Sequence, residues 1–129
     1  MTQILVVDDS RLSRRMIVDA LQQTGHDITE AVNGAVALES FRQNRPDCIV
    51  SNLLMPVMDG HEMLRQIRAI DSAVPVIIAS ADIQQSSRAQ CEELGISGFL
   101  TKPIQAEALL ECVEAILIQT AGVETHGTE

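Results

Sequence analysis

The stretch Cys48-Ile49-Val50-Ser51-Asn52-Leu53-Leu54-Met55-Pro56-Val57-Met58-Asp59-Gly60 opens on a short apolar run and ends on a turn sequence. Its first half reads as a buried strand, because apolar residues follow one another without polar alternation. Asn52 closes the run, and Asp59-Gly60 opens a helix carrying Met63, Leu64 and Ile67 inward. Asn52 is an amide at a strand end, in a chain whose other strand ends carry charged and hydroxyl groups.

Working outward, the same strand signature recurs. Ile4 to Val7 is a continuous apolar run ending at Asp8-Asp9, and Val74 to Ala79 is another ending at Ser80. Ile28 to Val32 and Gly98 to Thr101 are shorter strands, the latter running into Lys102-Pro103. Between them lie helical periods. After Ser10 as a cap, Leu12, Met16, Ile17, Ala20 and Leu21 share one face, and Gly25 stops the helix. Asn33-Gly34 reads as a turn, followed by a period of Val36, Leu38 and Phe41. A more polar helix runs from about Gln84 to Leu94, with a thin apolar stripe of Ile83, Cys91 and Leu94. The last helix carries Leu109, Cys112, Val113, Ile116 and Leu117 at i, i+3, i+4 spacing. Residues 1–119 read as one domain and Thr120 to Glu129 as a frayed, flexible tail with little apolar content.

Five strands alternating with five helices predict an α/β fold, a parallel sheet covered on both faces. Right-handed crossovers bring the C-terminal strand ends to one edge, where ligands bind in open α/β sheets. Asp8, Asp9, Asn52, Ser80 and Lys102 all fall at such ends.

Composition narrows the function. The chain has 129 residues, 46% hydrophobic and 21% charged, with a formal net charge of −9. That balance fits one soluble domain and disfavours direct nucleic-acid binding. Arg11, Arg14 and Arg15 cluster, but Trp and Tyr are absent, so a solvated helix face or a docking patch for an acidic protein is expected instead. No apolar stretch nears the roughly 18 residues that span a bilayer. No signal peptide is evident, and Cys48, Cys91 and Cys112 lack ligand or redox spacing, so a cytoplasmic location is expected.

Four segments together carry a family resemblance: Val7-Asp8-Asp9, Met55 to Gly60, Ser80-Ala81, and Gly98 to Pro103. With them the chain, from about Gln3 to Gln119, closely resembles the receiver domain of two-component response regulators, the CheY-like family. The resemblance implies a doubly wound, flavodoxin-like sheet of order 2-1-3-4-5. It implies Mg2+ held by Asp8, Asp9, residue 52 and the backbone carbonyl of Leu54. It also implies phosphoryl oxygens met by Ser80 and Lys102, a cis Lys102–Pro103 bond, and a switch made of Ser80 and Phe99. Lys102 is the only lysine; every other basic residue is arginine.

Asn52 departs from the pattern, for the family places its phosphoacceptor aspartate there. An amide oxygen is neutral, a poor nucleophile and a weaker ligand for a hard cation, so Mg2+ binding is expected to be weakened. Removing a third carboxylate also lowers repulsion, so the metal-free chain is expected to be at least as stable as its Asn52→Asp counterpart. A response-regulator receiver whose acceptor has been changed from Asp to Asn is favoured, since every other site residue is present. A natural pseudo-receiver, binding partners without phosphate, is the alternative. A dehalogenase-type enzyme fails because Asp8 and Asp9 are adjacent, and a flavodoxin-like cofactor binder lacks a Gly-rich loop after a strand.

The partners implied are a histidine kinase or phosphotransfer protein, and a downstream protein met through the fourth helix, fifth strand and fifth helix. A monomer or weak homodimer that is not an enzyme is expected.

Overall fold

The computed structural model describes residues 2–81 and 84–128, with residues 120–128 described by backbone alone. Strands and helices alternate in the order β1 (Gln3–Val7), α1 (Arg11–Gln22), β2 (Asp27–Ala31), α2 (Gly34–Gln43) and β3 (Cys48–Ser51). There follow α3 (Gly60–Ile70), β4 (Val76–Ser80), α4 (Gln85–Glu93), β5 (Gly98–Thr101) and α5 (Ala106–Thr128). All pairings are parallel, in the order β2-β1-β3-β4-β5. The expected doubly wound sheet is therefore present.

Side chains on a strand alternate between faces, and the two cores follow that period. Leu5, Val7, Ile49, Val76 and Ile78 meet α2 and α3 through Leu38, Phe41, Met63, Leu64 and Ile67. Ile4, Val6, Cys48, Val50, Ile77 and Ala79 meet α1 and α5 through Ile17, Leu21, Leu109 and Val113. Both faces are thus apolar, which is why the strands read as continuous runs. Cys48 and Cys91 are buried within these cores and Cys112 is half-buried, all as free thiols. Burial pushes the Cys48 thiol up to about 12, with Cys112 beside it adding to the shift. It behaves as a small buried hydrophobe.

Local capping follows the residue types. The Ser10, Asn33 and Asp59 side chains accept hydrogen bonds from the N–H groups of Ser13, Val36 and Glu62 respectively, opening α1, α2 and α3. Asn33-Gly34, expected as a turn, is therefore a helix start. Gly25 adopts φ +85 after α1, a left-handed conformation that suits glycine.

The helical period placed Leu12 and Met16 inward, yet they are 74% and 53% exposed. The buried residues of α1 are Ile17, Val18, Ala20 and Leu21. Leu12 and Met16 instead line an open groove with Lys102, Pro103 and Ile104, the segment that follows β5. Val36, in the first turn of α2, is also exposed, while Ala37, Leu38 and Phe41 are buried. The backbone of α5 continues to Thr128, through the stretch expected as a frayed tail. Ile83, assigned to the stripe of α4, lies outside the described residues, as does Glu129.

Candidate functional site at the carboxyl edge of the sheet

Strand register assembles the site. Val7 pairs with Ser51, so the residues that follow them, Asp8 and Asn52, emerge side by side. Ser80 pairs with Thr101, so Lys102 emerges beside the end of β4. The chain reverses its winding between β1 and β3, and open α/β sheets form their ligand crevice at that point. Backbone bonds continue the ladder past the strands: Asn52 N–H donates to the Val7 carbonyl at 2.9 Å and Lys102 N–H to the Ser80 carbonyl at 2.8 Å.

Asp8 is fully buried. Lys102 Nζ donates to its Oδ2 at 2.8 Å, and Ser10 N–H donates to its Oδ1 at 2.9 Å. A carboxylate so enclosed needs both partners, because an unpaired buried charge is costly. The Lys102–Pro103 bond is cis. Ser80 is also buried, at the tip of β4.

Asn52 binds the other half of the site. Its Nδ2 donates to Asp9 Oδ1 at 3.2 Å and to the Leu54 carbonyl at 3.0 Å, while its Oδ1 accepts the Leu53 N–H at 3.0 Å. Asp8 and Lys102 are thus brought together, as are Asp9, Asn52 and Leu54. Phe99 stands apart on β5, half-buried and packed against the α2/α3 core, with the Arg88 guanidinium 5.2 Å from its ring centroid.

Below Asn52 the chain turns sharply. Met58 N–H donates to the Pro56 carbonyl at 2.7 Å, closing a three-residue turn around Val57 at φ +68. That is a strained conformation for a β-branched residue. Gly60 then passes so close to Asn52 that a Cβ would collide with the Asn52 carbonyl oxygen and lie 2.9 Å from the Leu53 Cα. Glycine is required here by contact rather than by φ.

Sequence reasoning missed several supports. Arg14 Nη1 donates to the Asp8 carbonyl at 2.6 Å, and its Nε pairs with Glu30 at 2.9 Å, so this arginine braces the acidic strand end. Arg68 on α3 donates to the carbonyls of Leu94 and Gly95 at 2.7 and 2.8 Å, tying down the C-terminal end of α4. The Arg11-Arg14-Arg15 spacing was visible in the sequence; which of the three turns inward was not.

Two carboxylates and a backbone carbonyl form an oxygen set that suits a hard divalent cation. Among the described residues no group of three or more His, Cys, Asp or Glu side chains is placed to hold a metal. The fourth member, Asn52, presents N–H rather than oxygen toward Asp9 and the Leu54 carbonyl. The donor set as arranged therefore does not fit the ion.

A parallel sheet of this order, with an acidic pair, an amide, a hydroxyl and a lysine converging at its switch point, defines a doubly wound α/β protein of the flavodoxin-like class. The family model for the response regulator receiver domain matches residues 4–114. The chain belongs to that family, the receiver domains of two-component response regulators.

The chain is 38% identical over 116 residues to the chemotaxis protein CheY of Bacillus subtilis, covering 89% of this chain and 97% of that protein. It is 35% identical over 127 residues to the transcriptional regulatory protein PrrA of Mycobacterium tuberculosis, covering 98% of this chain but only 54% of PrrA. The chain thus spans about half the length of that relative. In the solved structure of the CheX-CheY-BeF3-Mg+2 complex of Borrelia burgdorferi, the matching chain is 25% identical with a TM-score of 0.86, covering 90% of this chain and 89% of that one. Among the described residues no helix is long and apolar enough to cross a membrane.

Proposed function

We propose that this chain is a two-component receiver whose phosphoacceptor aspartate is replaced by Asn52, leaving a site built for phosphoryl transfer without its nucleophile. The observation that carries the reading is the position of Asn52 between two otherwise complete half-sites, Asp8 with Lys102 and Asp9 with Leu54. With an aspartate at 52, a carboxylate oxygen would attack the phosphorus of a phosphohistidine in line. Lys102 would neutralise one phosphoryl oxygen and the Ser80 hydroxyl would bind another. The amide supplies no such nucleophile, so the chain is non-phosphorylatable.

The donor would be a histidine kinase or phosphotransfer protein. Exposed Leu12 and Met16 support a protein at this rim, since they line a groove of about 240 Å³ with Lys102, Pro103 and Ile104. The output would be a population shift in which Ser80 is drawn toward the phosphoryl group and Phe99 turns inward. The face of α4, β5 and α5 would thereby be remodelled for a downstream protein. The module works as a cytoplasmic monomer or weak homodimer, signalling rather than turning over a substrate, with Mg2+ held less tightly than by an aspartate site.

One observation favours the alternative of a natural pseudo-receiver. Asn52 is hydrogen-bonded through both ends of its amide, as a residue suited to its place would be.

The switching claim is tested by backbone-amide NMR of the parent chain and its Asn52→Asp variant with Mg2+ and beryllofluoride, a phosphoryl mimic that bonds to carboxylate. The expected result is shifts at Ser80, Phe99 and along α4 in the variant only. A variant that stays unmoved, or a parent that moves equally, would overturn the reading.

A further inference from the structure

Most of the oxygens that could hold a cation at this edge already have a donor, Asp8 through both of its carboxylate oxygens and Asp9 through Oδ1. Asp8 is met by Lys102 and the Ser10 N–H, at 2.8 and 2.9 Å. Asp9 Oδ1 and the Leu54 carbonyl are both met by one group, Asn52 Nδ2, at 3.2 and 3.0 Å. This amide nitrogen bridges a carboxylate and a backbone carbonyl, as a bound ion would.

The orientation of the amide is dictated by its neighbours. If it were reversed, Nδ2 would face the Leu53 N–H, donor against donor, and Oδ1 would face two acceptors. A carboxylate at this position meets no such conflict. One oxygen takes the Leu53 N–H and the other is left for a cation. An amide has a single oxygen, and here the Leu53 N–H holds it at 3.0 Å.

From this geometry we infer that Asn52 is an internal stand-in for the divalent cation: its Nδ2 links Asp9 to Leu54 and competes with Mg2+ for both. The edge of the sheet is therefore assembled without metal. The inference goes beyond the loss of one carboxylate ligand, and it rests on reading residues 8, 9, 52 and 54 as a cation site. If the amide were only a poorer ligand, deleting it would weaken Mg2+ binding further. If it is a competitor, deleting it strengthens binding.

The test is a Mg2+ titration of the parent chain, Asn52→Ala and Asn52→Asp, followed by calorimetry and by backbone-amide NMR. Asn52→Ala is expected to bind Mg2+ about tenfold tighter than the parent, because two hydrogen bonds no longer have to be displaced. Asn52→Asp is expected to bind more tightly still. Affinity for Asn52→Ala equal to or below that of the parent would overturn the inference. Failure of Asn52→Asp to bind Mg2+ would instead overturn the reading of the cation site.

A second measurement needs no variant. At saturating Mg2+, the parent's Asn52 side-chain NH2 is expected to lose its bonds to Asp9 and Leu54, so that its resonances shift and exchange faster as the Leu54 resonance moves. Movement of Leu54 with the Asn52 NH2 resonances unchanged would contradict competition.

Discussion

Lys102 Nζ lies 2.8 Å from the Oδ2 of Asp8, joining the ends of β5 and β1 across 94 positions of sequence. Asp8 is fully buried, whereas the Lys102 side chain is 18% exposed. Lysine therefore has a route to water and aspartate does not. Replacing Lys102 by Met should cost about 2–3 kcal/mol, since it strands a buried carboxylate that keeps only the Ser10 N–H. Asp8→Asn should cost less, and the double variant less than the sum of the two. Urea denaturation of the cycle checks this, and additive losses would show that the pair is not coupled.

Gly60→Ala should destabilise the chain by about 1–3 kcal/mol through overpacking, because the new Cβ meets the Asn52 and Leu53 backbone. It should also displace residue 52, visible as amide shifts at Asn52 and Leu54. Gly25→Ala is the contrast: a Cβ there meets nothing within 4 Å, so only the φ of +85 is paid for, and the site stays unshifted.

Val57 adopts φ +68 with an exposed side chain, so the strain has no packing to offset it. Val57→Gly, which removes the Cβ that this φ strains, should raise stability by about 0.5–1 kcal/mol. Thermal melts of the two chains compare them directly; a lower midpoint for Val57→Gly would refute the assignment of strain.

The Asp71 carboxyl is held below its ordinary value chiefly by the backbone N–H of Ala73; burial opposes this, and Val74 N–H and Arg45 lower it further. A group depressed in the folded state stabilises at pH above its unfolded value, near 4, and that contribution is lost as pH falls through the folded value. Asp71→Ala should therefore cost about 1 kcal/mol at neutral pH and converge on the parent in strong acid. Stability curves from pH 7 down to 2 should show the convergence; a constant gap would contradict it.

Arg88 covers the Phe99 ring at 5.2 Å and lies 3.6 Å from Glu92 along α4. Both charges are largely exposed, so Arg88→Ala should cost under about 1 kcal/mol. Its larger effect should be on Phe99 itself, whose ring resonances should shift and average over more rotamers. An unchanged Phe99 spectrum would show that the arginine is a bystander.

Much of this architecture is legible in the residues alone. Ile4 to Val7 and Val76 to Ala79 are apolar on both faces, so the runs themselves announce a covered parallel sheet. Asp8, Asn52, Ser80 and Lys102 were placed at one edge by topology alone. Leu12 and Met16 share the apolar face of α1 yet stay exposed, because helical periodicity does not reveal which turns of a helix have a neighbour packed over them. Arg14, Gly60 and the two-ended bonding of Asn52 were illegible for a different reason. Each depends on a hydrogen bond or close approach between residues that only the fold brings together.

The proposal that Asn52 is the single missing part of a phosphoacceptor site is tested by intact mass after incubating the parent chain and Asn52→Asp with Mg2+ and a small phosphodonor. Asn52→Asp is expected to gain the mass of one phosphoryl group, labile to base as an acyl phosphate, while the parent gains none. A parent that is phosphorylated, or an aspartate variant that is not, would contradict it.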